Sequence, residues 1–274
     1  MRTSAIVATM VLGACGRMGF DELPAPPDTA SVVESDAAPD ALTYRATAVS
    51  FESAAGDYLW TGSLANTTNA PRGTYSAWFH FTGRDNQQQL VSVAQVIFIG
   101  GVIREASNRI HFLLPDCTGI TVLDMQTTGA YTTTSGWVHV LASWDLPAGR
   151  AQIYINDVAD RAANPFMLSG NVCYASLKWG IGGLIGGALD ADVADFYASL
   201  GTSLDLDIEA NRRKFIDAAG KPVDLGTNCN TPTGITPTGC FVGDAETWAT
   251  NKGLGAGMNV DGDGLALAPT SPSD

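Results

Sequence analysis

Charge is scarce in this sequence, and positive charge scarcer still. Asp, Glu, Lys and Arg make up 16% of the 274 residues, with 15 bases against 28 acids. A surface that holds a phosphate backbone needs clustered Lys and Arg, so this balance argues against nucleic acid as a partner. No apolar run approaches the roughly 20 residues that a membrane-spanning helix requires. G-x-S-x-G, H-E-x-x-H and phosphate-loop patterns are missing. The five Cys contain no C-x-x-C pair, which leaves a four-Cys metal site without its usual spacing. What is plentiful is apolar residues, at 45%, together with 30 Gly and 13 Pro. That is too apolar for a disordered chain and too rich in glycine for a helical bundle.

The first residues read as a targeting segment. Arg2 precedes the apolar run Ala5-Ile6-Val7-Ala8-Thr9-Met10-Val11-Leu12, the pattern of a signal-peptide core. Leu12-Gly13-Ala14-Cys15 resembles a bacterial lipobox. The resemblance implies cleavage before Cys15 and acylation of Cys15, with anchoring by buried acyl chains. Gly16 follows in place of Asp, which by the same resemblance points to the outer membrane. Residues 16–42 hold Pro24, Pro26, Pro27 and Pro39 with six acids and one Arg. They carry neither a strand nor a helix period and read as an extended linker. Residues 43–274 then keep 22 acids against 13 bases, so the domain itself is acidic.

Strand-like runs recur through residues 74–81, 90–99, 109–114, 119–125, 137–144 and 151–156, separated by Gly, Pro, Asn and Asp. Short strands at this spacing predict an all-β sandwich or barrel. One helix is expected over about 205–218, from Ile208, Phe215 and Ile216, with Ser203 or Asp205 as cap and Gly220 and Pro222 as stop. Residues 240–268 are expected to return one or two strands to the sandwich.

A family resemblance rests on Trp137-Val-His139-Val, Ser143-Trp-Asp145, Ile153-Tyr-Ile-Asn156-Asp157 and Ala194-Asp195-Phe196-Tyr197. Together these resemble the laminin-G-like, concanavalin A-like jelly roll over about 46–200. Asp157 stands where that family has Gly, a change a turn accepts. Asn211-Arg212-Arg213-Lys214-Phe215, Gly220-Lys221-Pro222 and Asn251-Lys252-Gly253 resemble the C-terminal part of phage and bacterial jelly-roll proteins.

With Cys15 acylated, four Cys remain, an even number that suits disulfides in an exported chain. Cys229 and Cys240 flank two Thr-Pro-Thr-Gly turns and are paired on that ground, which leaves Cys117 with Cys173.

Candidate chemistry is sparse. Asp205-Leu-Asp207-Ile-Glu209 superficially matches the Glu-x-Asp-x-Glu strand of laminarinase-type glucanases. It leads into the expected helix, where acids at the N-terminus are favoured without catalysis. His80, His111 and His139 each sit between apolar neighbours. A trio on one face would suit zinc, whereas the simpler expectation is the less buried face of three strands. Asn259-Val-Asp261-Gly-Asp263-Gly264 opens like an EF-hand loop but has Thr270 where the bidentate Glu belongs, so an Asp-Gly turn is expected. Calcium at the sandwich rim is an option the family resemblance raises, with Asp57, Asp190, Asp192 and Asp195 as loose candidates. The glycines from Gly180 to Gly187 follow no βαβ pattern and suit close packing or a bend. Trp78, Trp137, Trp144 and Trp179 are expected inside, while Tyr58, Trp60 and Tyr131 lie nearer loops and are the candidate ligand-binding aromatics.

The sequence therefore predicts a signal peptide over 1–14, acylated Cys15 with a linker over 15–42, and one domain over 43–274. That domain is an all-β, concanavalin A-like jelly-roll sandwich with one short C-terminal helix. The expected function is non-catalytic recognition of a glycan or an envelope protein, on a lipid-anchored protein of the bacterial outer membrane or cell surface. No cofactor beyond the optional calcium is expected. The alternatives are a structural or adhesive envelope protein and, third, a glycoside hydrolase.

Overall fold

The computed structural model describes residues 44–94, 99–175, 178–184 and 189–274. The leader, Cys15, the linker, Gly186 and Gly187 lie outside the described residues. In chain order the strands are β1 (Ala48–Phe51), β2 (Tyr58–Thr61), β3 (Arg72–Phe81), β4 (Gln88–Ala94), β5 (Ile99–Arg104), β6 (Ile110–Pro115), β7 (Thr121–Gln126), β8 (Trp137–Asp145) and β9 (Arg150–Ile155). They continue as β10 (Val158–Ala159), β11 (Phe166–Met167), β12 (Lys178–Ile181), β13 (Ala191–Leu200), β14 (Gly239–Phe241), β15 (Asn259–Asp261) and β16 (Ala266–Leu267). Two single-turn helices, α1 (Glu209–Arg212) and α2 (Ala245–Trp248), flank β14.

The strands form two sheets. The first runs β10-β9-β8-β3-β13-β1-β16, with β14 also paired to β13; the second runs β11-β7-β6-β5-β4-β12-β2-β15. The period-2 alternation of β3 explains why they stack. Tyr75, Ala77, Phe79 and Phe81 point into the inter-sheet core, which also holds Val138, Val140, Phe112, Met125 and Val193. Ser76, Trp78 and His80 point to the opposite face, as successive strand residues must. The β9–β10 hairpin turns through Asn156 and Asp157, at φ 48° and 67°. Paired left-handed residues are what a two-residue turn needs to match strand twist, so Asp157 serves where Gly would. Gly182 ends β12 at φ 87°, and a Cβ there would lie 2.9 Å from the Phe51 ring.

Much of the outer face of the first sheet is covered. The chain after β13 crosses it, and Leu206, Phe215 and Leu225 pack on Leu141, Tyr154 and Tyr197 as a second core. Ile216 joins Trp78, Ala48 and Ala194 in a third cluster. This docking shortens the helix expected over 205–218 to the four residues of α1. Phe215 and Ile216 must enter different clusters, and Ile216 leaves the turn to form a β-bridge with Pro222. Neither Ser203 nor Asp205 caps α1, whose N-cap is Ile208 without a side-chain bond. The tail supplies three strands. β14 pairs with β13, β15 with β2 and β16 with β1.

Disulfides join Cys117 to Cys173 and Cys229 to Cys240, with Cα atoms 4.8 and 6.3 Å apart. The first ties the β6–β7 turn to the segment before β12, and the second ties the tail to β14.

One irregularity sits in mid-sheet. Along β13 the register to β3 passes from Ala194↔Trp78 to Tyr197↔Ser76. Three steps on β13 oppose two on β3, a β-bulge. The extra residue is Asp195, at φ 46°. Here β13 changes partner on its other edge, from β1 to β14.

Candidate functional site

The first sheet keeps one part of its outer face open. Ser50, Asp192, His80 and Trp137 stand opposite one another on β1, β13, β3 and β8, forming one cross-strand row. Their side chains connect. Ser50 Oγ donates to Asp192 Oδ1 at 2.6 Å, and His80 Nδ1 lies 3.1 Å from Asp192 Oδ2. Asp192 is buried. Its acceptance from Nδ1–H fixes the ring orientation and leaves Nε2 as the ring nitrogen not bonded to Asp192. The His80 ring lies 5.5 Å from that of Trp137, tilted by 34°.

His80 and Trp137 of this row, with Trp78 beside them, line a cleft of about 540 Å³, walled by Asn156, Lys221, Thr270, Ser271 and Asp274. Its size falls within the range of small-ligand sites. The wall is held in place by specific bonds. Trp137 Nε1–H donates to Thr270 Oγ1 at 3.3 Å, Ser271 N–H to Asp274 Oδ2 at 2.8 Å, and Ser271 Oγ to the Ala46 carbonyl at 2.6 Å. Arg45 pairs with the Asp274 side-chain carboxylate, and the Lys221 ammonium donates to the main-chain oxygen of Asp274. Asn156 Oδ1 accepts from the His139 N–H at 2.7 Å, which turns its Nδ2 amide away from the sheet backbone.

The aromatics singled out as ligand-binding do not come together. Tyr58 and Trp60 stand two residues apart on β2. The Tyr58 hydroxyl hydrogen-bonds the Asp261 carboxylate, which raises its pKa. The Lys178 ammonium lies 5.9 Å from the Trp60 ring centre. Tyr131 belongs to the β7–β8 loop, where its hydroxyl donates to Asp160 and its carbonyl accepts from Arg104. Burial first, then that bond, raises its pKa.

The other candidates are distributed as follows. His111 faces outward from the second sheet between Glu105 Oε1 and Asp124 Oδ1, at 2.5 and 2.9 Å. His80 and His139 belong to the first sheet, so the zinc trio does not assemble. The expectation of a less buried face fails for His139, because the chain after β13 covers it. His139 is fully buried, stacks on Trp78 at 4.6 Å, and has Nε2 2.8 Å from Ser76 Oγ. Burial pushes its pKa down to about 3.

Asp205 bonds Arg150 and Gln152, Asp207 accepts from Tyr154, and Glu209 pairs with Arg213. Asp205 and Asp207 clamp the crossing chain onto the sheet, Glu209 pairs within that chain, and the three face no common cleft. Asp57 accepts the backbone N–H groups of Glu52 and Asp263, and Asp190 that of Ser53. Asp263 thus belongs to a turn that docks on Asp57. Among the described residues no three His, Cys, Asp or Glu side chains converge as a metal site.

Asp195 is the outlier. It is buried, Oδ1 accepts from Tyr44 at 2.8 Å, and Oδ2 has no partner among the described residues. Burial lifts its pKa to about 7, with Tyr44 and Lys252 lowering it and Asp224 raising it.

Sequence reasoning expected Trp78 and Trp137 inside; Trp78 is buried as expected, whereas Trp137 is only half-buried, and the cleft beside it was missed. The available signal was the alternation Trp78-Phe79-His80-Phe81, which puts Trp78 and His80 together on one face and the two Phe on the other.

No protein-family model matches the chain, and no curated protein does. Solved structures do match. One is the heptameric SAP-like pentraxin of Limulus polyphemus, at 13% identity and TM-score 0.50, over 84% of this chain and 97% of that one. Another is a Bacteroides ovatus protein described as a candidate carbohydrate-binding protein, at 14% identity and TM-score 0.50, over 82% of this chain. The match spans 60% of the Bacteroides ovatus chain. The fold is thus a two-sheet jelly-roll sandwich.

Proposed function

We propose that this domain is a non-catalytic recognition module that binds a glycan in the Trp137 cleft. The observation that carries the reading is an open cleft whose floor is aromatic and whose walls are polar. A pyranose ring has an apolar face suited to an indole and a hydroxyl edge suited to His80 Nε2, Asn156 and Lys221. Fixed aromatics with a few placed polar groups are the usual composition of a small-ligand site. The similarity in fold to a protein described as carbohydrate-binding agrees with this reading. The carboxylates Asp205, Asp207 and Glu209 are each committed to a structural partner, which favours binding over hydrolysis.

The lipobox-like Leu12-Gly13-Ala14-Cys15 places this module, in the same proposal, on an acylated chain at the bacterial outer membrane or cell surface.

The test is a glycan array with the purified chain, run with calcium and with chelator, beside Trp137→Ala. Saturable binding that Trp137→Ala removes without changing the unfolding midpoint is the expected result. Binding that survives Trp137→Ala would move the site elsewhere, and absence of binding would refute glycan recognition. For the anchor, Cys15→Ser should lose fatty-acid label and leave the membrane fraction; retention of both would refute acylation.

A further inference from the structure

The Trp137 cleft has a negative charge beneath its floor that no Lys or Arg matches. The two cations of its wall are both engaged by Asp274, Arg45 by the side-chain carboxylate and Lys221 by the main-chain oxygen. Asp192 has no such partner. Its side chain is 3% exposed, and its oxygens meet the Ser50 hydroxyl and His80 Nδ1, with no Lys or Arg paired to it among the described residues. A buried carboxylate is costly unless a positive charge stands near it. That charge can arrive through the His80 ring. Nδ1 faces Asp192, whereas Nε2 has no partner among the described residues. The His80 side chain is 27% exposed and lines the cleft. The charged groups around it are Asp192 on β13, Lys221 on the crossing chain, and Asp274 with Arg45 at the wall. In the same row β8 presents Trp137 and β1 presents Ser50, neither of them charged.

Two positive species can fill this place, a proton on Nε2 or a ligand ammonium that donates to Nε2 instead. We propose that the ligand is an amino sugar carrying a free ammonium group. The ammonium donates to His80 Nε2, the Asp192 carboxylate behind the ring balances its charge, and the apolar face of the sugar lies on Trp137. This deepens the glycan reading and rests on it. A hydrogen bond from a charged donor is stronger than one from a hydroxyl, so this acceptor selects an amine over a neutral sugar. The Trp137 ring, 5.5 Å from that of His80, adds cation–π attraction at the same place. The net charge of −13 draws a cationic ligand toward the protein. Ligand and proton compete for one lone pair, which ties binding to pH.

The test is titration calorimetry of the full chain with methyl 2-amino-2-deoxy-β-glucoside and methyl 6-amino-6-deoxy-α-glucoside. The N-acetyl derivative of each serves as its neutral control, and titrations are run at pH 7 and pH 5, at low and high salt. At pH 7 at least one amine should bind tenfold or more tightly than its N-acetyl derivative, and salt should shrink the advantage. Histidine changes charge between these two pH values. At pH 5 the advantage should therefore fall severalfold, with protons released on binding, read from two buffers of different ionisation enthalpy. Asp192→Asn should erase the amine advantage, with its unfolding midpoint checked because the residue is buried. His80→Gln, at a partly exposed ring, keeps an acceptor that takes up no proton, so pH dependence and proton release should vanish. Equal affinity for amine and N-acetyl forms overturns the proposal. So does an amine preference that survives Asp192→Asn, or a pH dependence that survives His80→Gln. Neutral sugars that bind in a Trp137-dependent way with no amine preference would refute this inference alone. Failure of all four sugars to bind also refutes it, and an empty glycan array would refute the glycan reading as well.

Discussion

Asp195→Asn should make the fold more stable at neutral and alkaline pH and nearly unchanged in acid. The carboxyl is fully buried on a left-handed bulge residue, with Tyr44 on one oxygen and no partner among the described residues on the other. The charged groups that act on it are Asp224 and Lys252, of opposite sign. Burial therefore dominates and holds its pKa at about 7 against an ordinary 3.8. A buried acid with a raised pKa favours folding when protonated. Its contribution is complete below pH 4, declines as pH rises, and is lost above about 7. A rise of about three pH units corresponds to about 4 kcal/mol. Asn keeps an acceptor for Tyr44, cannot ionise, and tolerates φ 46° as well as Asp does. Urea unfolding with disulfides intact, from pH 4 to 8.5, should give a wild-type stability that falls across this window and an Asp195→Asn profile that is flatter. The variant's advantage at pH 8 should amount to several kcal/mol. Parallel profiles for the two proteins would show that Asp195 carries no buried charge, and the reasoning would fail.

Three further outcomes are expected. The His139 ring resonances should stay constant between pH 5 and 8, since burial holds this imidazole neutral down to about pH 3; a midpoint near 6.5 would contradict that burial. Replacing Cys117 and Cys173 by Ser opens a cross-link spanning 56 residues and should cost about 4 kcal/mol in urea unfolding by loop-closure entropy, an account refuted by a cost near zero. Phe215→Ala should cost roughly 3–5 kcal/mol by leaving a cavity among Tyr197, Leu206 and Leu225, whereas a loss under 1 kcal/mol would mean that the second core collapses to fill it.

The strands were legible because their cause is local. Tyr75, Ala77, Phe79 and Phe81 alternate with Ser76, Trp78 and His80, and that pattern specifies a sheet facing an apolar partner. The helix over 205–218 was overread because its apolar residues satisfy a helical period, yet Phe215 and Ile216 are claimed by separate clusters. That competition is tertiary and leaves no periodic trace. The same covering chain explains His139, whose alternation marks an outer face without saying what lies on it. The cleft was missed for a related reason. Trp137 starts a strand and reads as core, and only the return of residues 270–274 shows that its indole borders an opening. Tyr131 was chosen for its place in a loop, and the bond to Asp160 that occupies it joins residues 29 apart.

The pairing of β1 sets the order in which this domain can be completed. Its two neighbours are β13 and β16, and Ser50 meets Asp192 across 142 residues of sequence. A chain made from its N-terminus exposes Val49 and Phe51 with no partner strand until β13 has emerged. The Ala46 carbonyl waits longer, for Ser271. Strands β3 to β9 can therefore pair before β1, which waits for β13, and β16 in turn waits for β1. Until β13 is available, the first sheet stays open along the edge where β1 belongs, and the closing strand β16 has nothing to add to.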